Sequence, residues 1–105
     1  MPRFIKATTL QQLHERRGTL VNIDGQDIVI FKHHGDVFAL SNVCAHQHFS
    51  MLHQGEIEGC EVTCPMHGWK YDMKTGKSTT GQGRVATFGV KVAGDEVLID
   101  VPDLI

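Results

Sequence analysis

Residues 85–101 read Val85-Ala86-Thr87-Phe88-Gly89-Val90-Lys91-Val92-Ala93-Gly94-Asp95-Glu96-Val97-Leu98-Ile99-Asp100-Val101. Apolar and polar residues alternate on both sides of Gly94-Asp95. Val90 and Val92 fall on one face, and Val97, Ile99 and Val101 form a second alternating set. A period of two marks a half-buried strand, and a glycine–aspartate step between two such runs marks a tight hairpin turn. The pattern predicts antiparallel β structure.

The same rhythm extends towards the N-terminus. Residues 19–23 run into Asp24-Gly25, residues 27–32 lead out of it, and residues 36–40 return after Gly35. Thr75-Gly76 marks a further turn. Only residues 8–17 hint at a helix, of one to three turns. Thr8 or Thr9 would cap it, Leu10 and Leu13 would face the core, and Gly18 would end it. The expected class is all-β, a small antiparallel sandwich or barrel.

A chain of 105 residues has the size of one domain, burying roughly two-thirds of its unfolded surface. Hydrophobic residues at 41% and charged residues at 21% are ordinary globular proportions. A net charge of −2 gives no general attraction to nucleic acid or anionic lipid. The longest apolar run, Ile28-Val29-Ile30-Phe31, is far too short to span a membrane. No apolar stretch follows Met1-Pro2-Arg3-Phe4, so no secretory signal is expected. Three cysteines do not make a disulfide framework. These features predict a soluble, cytoplasmic protein without nucleic-acid or membrane partners.

Between about Asn42 and Asp72 the strand signals thin out. Cys44, His46, His48, His53, Cys60, Cys64 and His67 all fall in this window, which reads as a loop-rich insert on a β base. Two short words stand out, Cys44-Ala45-His46 and Cys64-Pro65-Met66-His67. Each pairs a thiolate donor with an imidazole. Two Cys and two His can hold a tetrahedral zinc, or a [2Fe–2S] cluster with two thiolates on one iron and two imidazoles on the other. Zinc sites usually group like ligands together, whereas here each word supplies one of each kind in the same order.

The second word continues Gly68-Trp69-Lys70-Tyr71-Asp72. With C-x-H before it and C-P-x-H-G within it, the chain resembles the Rieske iron–sulfur family over almost its whole length. The resemblance implies a single Rieske domain over residues 1–105, a small antiparallel β-sandwich or barrel with a cluster-binding insert at approximately 42–72. It also implies one [2Fe–2S] cluster. Cys44 and Cys64 would bind the inner iron, and His46 and His67 the outer one. Pro65 would stiffen the second loop, and Gly68 would permit close approach or an unusual backbone angle. Tyr71 stands where some members donate a phenol hydrogen bond towards a cysteine sulfur.

Departures from the family pattern are also informative. High-potential members carry an additional cysteine in each loop and join them. Phe49 and Met66 stand there in this chain. Those members also have a serine after His-Gly that donates to a bridging sulfide, and Trp69 replaces it. Fewer hydrogen bonds to cluster sulfur imply a potential towards the low end of the family's range of roughly −150 to +300 mV. His48 replaces a glycine common after the first ligand histidine.

The resemblance implies a soluble one-electron carrier, a Rieske-type ferredoxin and not an enzyme in its own right. It would take electrons from a flavin-dependent reductase, pass them to an oxygenase or other acceptor, and act as a monomer. Three alternatives of other kinds are a small subunit of a larger oxidoreductase such as a nitrite reductase, a zinc-stabilised binding module, and a redox or oxidative-stress sensor. Other candidates have blander readings. Cys60 reads as a spectator thiol at a strand start, and His48 and His53 as partly exposed loop residues. His33-His34 reads as a solvated hairpin end, and His14 as similar. Gly76-Lys77-Ser78-Thr79 imitates the end of a phosphate-binding loop, but Tyr71 stands where that motif needs glycine. Residues 81–83 read as a flexible turn that can cover the centre.

Overall fold

The computed structural model describes residues 4–14, 17–23, 25–33, 35–43, 52–65, 68–79 and 83–100. Its strands are β1 (Phe4–Thr9), β2 (Gly18–Ile23), β3 (Gln26–His33), β4 (Asp36–Ser41), β5 (Glu56–Glu58), β6 (Glu61–Thr63), β7 (Lys70–Asp72), β8 (Thr87–Ala93) and β9 (Glu96–Asp100). Six form one antiparallel sheet in the order β1-β9-β8-β4-β3-β2, and β5-β6-β7 form a second, smaller one. The fold is all-β and antiparallel, as the alternation predicts.

The register explains the turn residues. Ile23 pairs with Gln26, His33 with Asp36, Glu58 with Glu61 and Ala93 with Glu96, so four hairpins close through two-residue loops. Each loop contains a glycine at positive φ, the requirement of tight turns that match strand twist. Val90 pairs with Ile99 and Val92 with Val97. Directly paired residues share a sheet face, so the two alternating sets form one surface.

The run Ile28-Val29-Ile30-Phe31 has a structural cause. All four side chains are fully buried, because β3 is covered on both faces. Ile28 and Ile30 pack with Ile23, Ala39, Val97 and Ile99, joined by Ile5 of β1 and Val21 of β2. Residues from both edge strands thus reach one cluster, so the large sheet curls around it into a nearly closed barrel. Val29 and Phe31 point the other way, packing with Leu40, Leu52, Ile57, Val62, Cys64 and Tyr71. This second core joins the barrel to the small sheet.

Two expectations are corrected. Among the described residues of 8–17 there is no α-helix. Thr8 and Thr9 end β1, a single 3-10 turn occupies Leu10–Gln12, and Gly18 opens β2. The Leu13 amide donates to the Leu10 carbonyl (3.3 Å), and a single short turn cannot repay the nucleation of an α-helix. Leu13 is nevertheless buried and Leu10 packs beside it, so the core-facing assignment holds. His33 is buried rather than solvated, at 6% exposure, because it continues the alternate face of Val29 and Phe31. Among the described residues no helix is long and apolar enough to cross a membrane.

Candidate metal centre

Cys64 follows directly on β6. Strand alternation places it on the side of Val62, inside the core shared by the two sheets, and it is completely buried. Its amide donates to the Trp69 carbonyl (2.7 Å), and the Cys64 carbonyl accepts from the Gly68 amide (3.0 Å). These two bonds hold Gly68 and Trp69 beside Cys64. Gly68 turns the chain with φ of 72°, and a Cβ there would touch nothing within 4 Å. Of the two roles expected for Gly68, the structure shows the unusual backbone angle. Trp69 is half-buried against the core that holds Cys64. Tyr71 is fully buried in the same cluster, on β7 opposite Val62.

The first loop is anchored at both ends. Asn42, just after β4, is fully buried. Its carbonyl accepts from the Leu52 amide (3.1 Å), and its side-chain oxygen accepts from the His53 amide (2.6 Å). The segment between them carries Cys44 and His46. Beyond it, Leu52–Gln54 make a 3-10 turn, and Gly55 meets the base of the second loop. A Cβ at Gly55 would overlap the Thr63 carbonyl oxygen, and Glu56 pairs directly with Thr63. The base of one loop therefore abuts the base of the other. Beside them lies an open cleft of about 250 Å³ lined by Gln54, Gly55, Glu56, Thr63, Cys64, Pro65 and Gly68.

Of the four expected ligands, Cys64 is described and sits at this junction. Cys44, His46 and His67 lie outside the described residues, as do His48, Phe49 and Met66. Among the described residues, no group of three or more His, Cys, Asp or Glu is placed to hold a metal. A buried thiol outside any disulfide, bordering a cleft between two loop bases, fits a soft-metal donor.

Cys60 does not share this setting. It is exposed at the β5–β6 turn, and its carbonyl accepts from the Met73 amide (2.8 Å). Four residues of extended chain separate it from Cys64 by roughly 13 Å. His53 is half-buried, with Nδ1 2.9 Å from the Asn42 side-chain nitrogen. Gly76 packs against Val85, where a Cβ would overlap the Val85 carbonyl. Its amide donates to the Asp72 carbonyl (2.7 Å), so the imitation phosphate loop is a packed turn. Among the exposed charges, Lys70 and Glu58 approach to 3.7 Å, a surface pair of little energetic weight.

Asn42 has no counterpart in the sequence reading. An asparagine beside a loop reads as turn chemistry, and its burial is a tertiary property. The spacing from Asn42 to His53 carries no motif.

The sequence model of the Rieske [2Fe-2S] domain matches residues 4–98. The ferredoxin component of a naphthalene 1,2-dioxygenase system from Pseudomonas aeruginosa is 29% identical over 101 residues, covering 94% of this chain and 96% of that protein. Among solved structures, the ferredoxin of carbazole 1,9a-dioxygenase from Nocardioides aromaticivorans IC177 superposes with a TM-score of 0.86 at 29% identity, covering 92% of this chain and 96% of that one. A putative NADH-dependent nitrite reductase small subunit from Mycobacterium tuberculosis shares the fold, with a TM-score of 0.92 at 17% identity and coverage of 99% of each chain.

Proposed function

Because the chain belongs to the Rieske [2Fe-2S] domain family, we propose that it is a one-electron carrier of the ferredoxin type, holding its cluster through Cys44, His46, Cys64 and His67. Residues 1–105 then form one domain, with the cluster-binding insert at approximately 42–72. When bound, such a cluster accepts one electron and gives it back.

The chain's own residues do the positioning. The backbone of Cys64 is fixed at the base of the second loop by its amide bond to the Trp69 carbonyl and by the turn at Gly68, which sets where its sulfur stands. Cys44 would join it on one iron, and the His46 and His67 imidazoles would hold the other. Tyr71 and Trp69 exclude water beside Cys64, and an apolar surrounding tunes a bound cluster. The observation that carries this reading is the placement of Cys64, fully buried where the two loop bases meet.

Carriers of this kind meet their redox partners over small, transient interfaces. The relatives' designation as ferredoxin components of dioxygenase systems supports an oxygenase as electron acceptor; a flavin-dependent reductase as donor is what the family resemblance implies. The chain itself carries electrons and leaves turnover of substrate to the acceptor.

The decisive experiment is an electron paramagnetic resonance spectrum of the dithionite-reduced, anaerobically purified protein, with iron and zinc analysis. The low-average-g signal of mixed Cys/His ligation and two irons per chain are expected. One zinc per chain and a silent spectrum would overturn the reading. A redox titration should place the midpoint in the lower part of about −150 to +300 mV, since Trp69 brings no hydroxyl to a cluster sulfide.

A further inference from the structure

The completely buried side chain of Asn42 stands at the entrance to the segment that carries Cys44 and His46. Every polar group of this residue has a partner. Its amide donates to the Asp27 carbonyl on β3 (2.9 Å), and its carbonyl accepts from the Leu52 amide (3.1 Å). The side-chain oxygen accepts from the His53 amide (2.6 Å), and the side-chain nitrogen lies 2.9 Å from His53 Nδ1.

A backbone amide only donates, so the Asn42 oxygen must face it and the NH₂ must face the ring. Facing the NH₂, His53 Nδ1 acts as the acceptor of the 2.9 Å contact, and it also lies 3.3 Å from the Asn42 oxygen. Three bonds thus run from one buried residue to two consecutive residues across the loop. Gly18 backs the arrangement: a Cβ there would lie 2.7 Å from the His53 Cα and carbonyl oxygen. β2 therefore presses directly on the His53 backbone.

We propose that Asn42 and His53 are positioning residues, a side-chain clasp that pins the ends of segment 43–51 and sets how long Cys44 and His46 retain the iron–sulfur group. The inference rests on the ligand assignment above. The Leu52 bond alone would close the loop. The side-chain bonds add a second, buried fastening that is costly to leave half-made, because removing one partner strands a desolvated donor or acceptor. Both ends of the loop are thereby tied to β3 through the Asp27 carbonyl.

The test uses the purified cluster-bound protein and its Asn42→Ala, His53→Ala and His53→Asn variants, with Cys60→Ser as control. Iron release to a chelator is followed by loss of visible absorbance, and amide hydrogen exchange at Leu52 and His53 is measured on the same samples. Asn42→Ala and His53→Ala should release iron roughly 10-fold faster, the scale of one lost buried bond, with faster exchange at His53. His53→Asn, whose side-chain oxygen sits where Nδ1 does, should recover most of the lost retention. Cys60→Ser should match the parent protein.

Should His53→Ala release iron at the parental rate, or His53→Asn behave like His53→Ala, the clasp is wrong. If Asn42→Ala fails to fold, the two His53 variants decide the matter. The exchange measurement needs no cluster. A parent protein with zinc or no iron overturns the iron–sulfur reading, and amide exchange at position 53 unchanged between parent and His53→Ala separately overturns the clasp.

Discussion

Cys60 and Cys64 are four positions apart and chemically identical, yet their surroundings differ, and the proposed ligand set includes only Cys64. Cys60 is exposed at a hairpin tip, whereas Cys64 is buried at the base of the second loop. Cys64→Ser should abolish the visible and paramagnetic signatures of the centre, and His46→Cys should abolish or convert them. Cys60→Ser should leave the spectrum unchanged and stability within about 0.5 kcal/mol. Bleaching in Cys60→Ser would show that the ligand set is wrong. Cys64 could be singled out as a candidate because a cysteine, a histidine and a turn-forming Gly68 occur in one short word. The environments of His33 and Asn42 were not. His33 was misread because Gly35 suggested a solvated tip. The signal against that reading was its parity with Val29 and Phe31, which places it on a buried face. Burial of Asn42 depends on segments distant in sequence, and no local pattern records it.

Among the elements, legibility followed length and periodicity. β2, β3, β4, β8 and β9 span five to eight residues, long enough for alternation and glycine turns to declare them. β5, β6 and β7 span three residues each, too few to establish a period. β1 was hidden because its register shifts between Lys6 and Thr8, which breaks the alternation, and because Thr8 and Thr9 read as helix caps. Gly18 was taken for a helix stop. Its real constraint is the approach of the Leu52–Gln54 turn to β2, where a methyl group would also lie 2.8 Å from Val29 Cγ2. Gly18→Ala should therefore cost about 1–3 kcal/mol by overpacking. In urea the unfolding midpoint should fall with no change of slope, since the surface exposed on unfolding is the same. An unchanged midpoint would mean that the turn shifts away from β2 without cost.

At the scale of the molecule, β3 is the wall between two cores, and its side chains separate stability of the fold from integrity of the site. Ile30 points into the barrel with Ala39, Val97 and Ile99. Phe31 points into the second core with Leu52, Cys64 and Tyr71. Both are fully buried, so truncation leaves a cavity in either case. Ile30→Ala should lower unfolding free energy by about 2–5 kcal/mol and Phe31→Ala by about 3–5 kcal/mol. Their effects on the centre should diverge. The cavity of Phe31→Ala opens in the core that holds Cys64 and the base of the first loop at Leu52, so the centre should be lost well below the temperature at which the barrel melts. In Ile30→Ala, loss of the centre and melting should coincide, because the weakened contacts lie on the far side of the sheet. Parallel heating curves, visible absorbance for the centre and circular dichroism for the strands, make the comparison. A gap between the two curves in both variants, or in neither, would show that the two cores respond as one unit. A gap in Phe31→Ala alone would establish the barrel as an independent support on which the two loops are mounted.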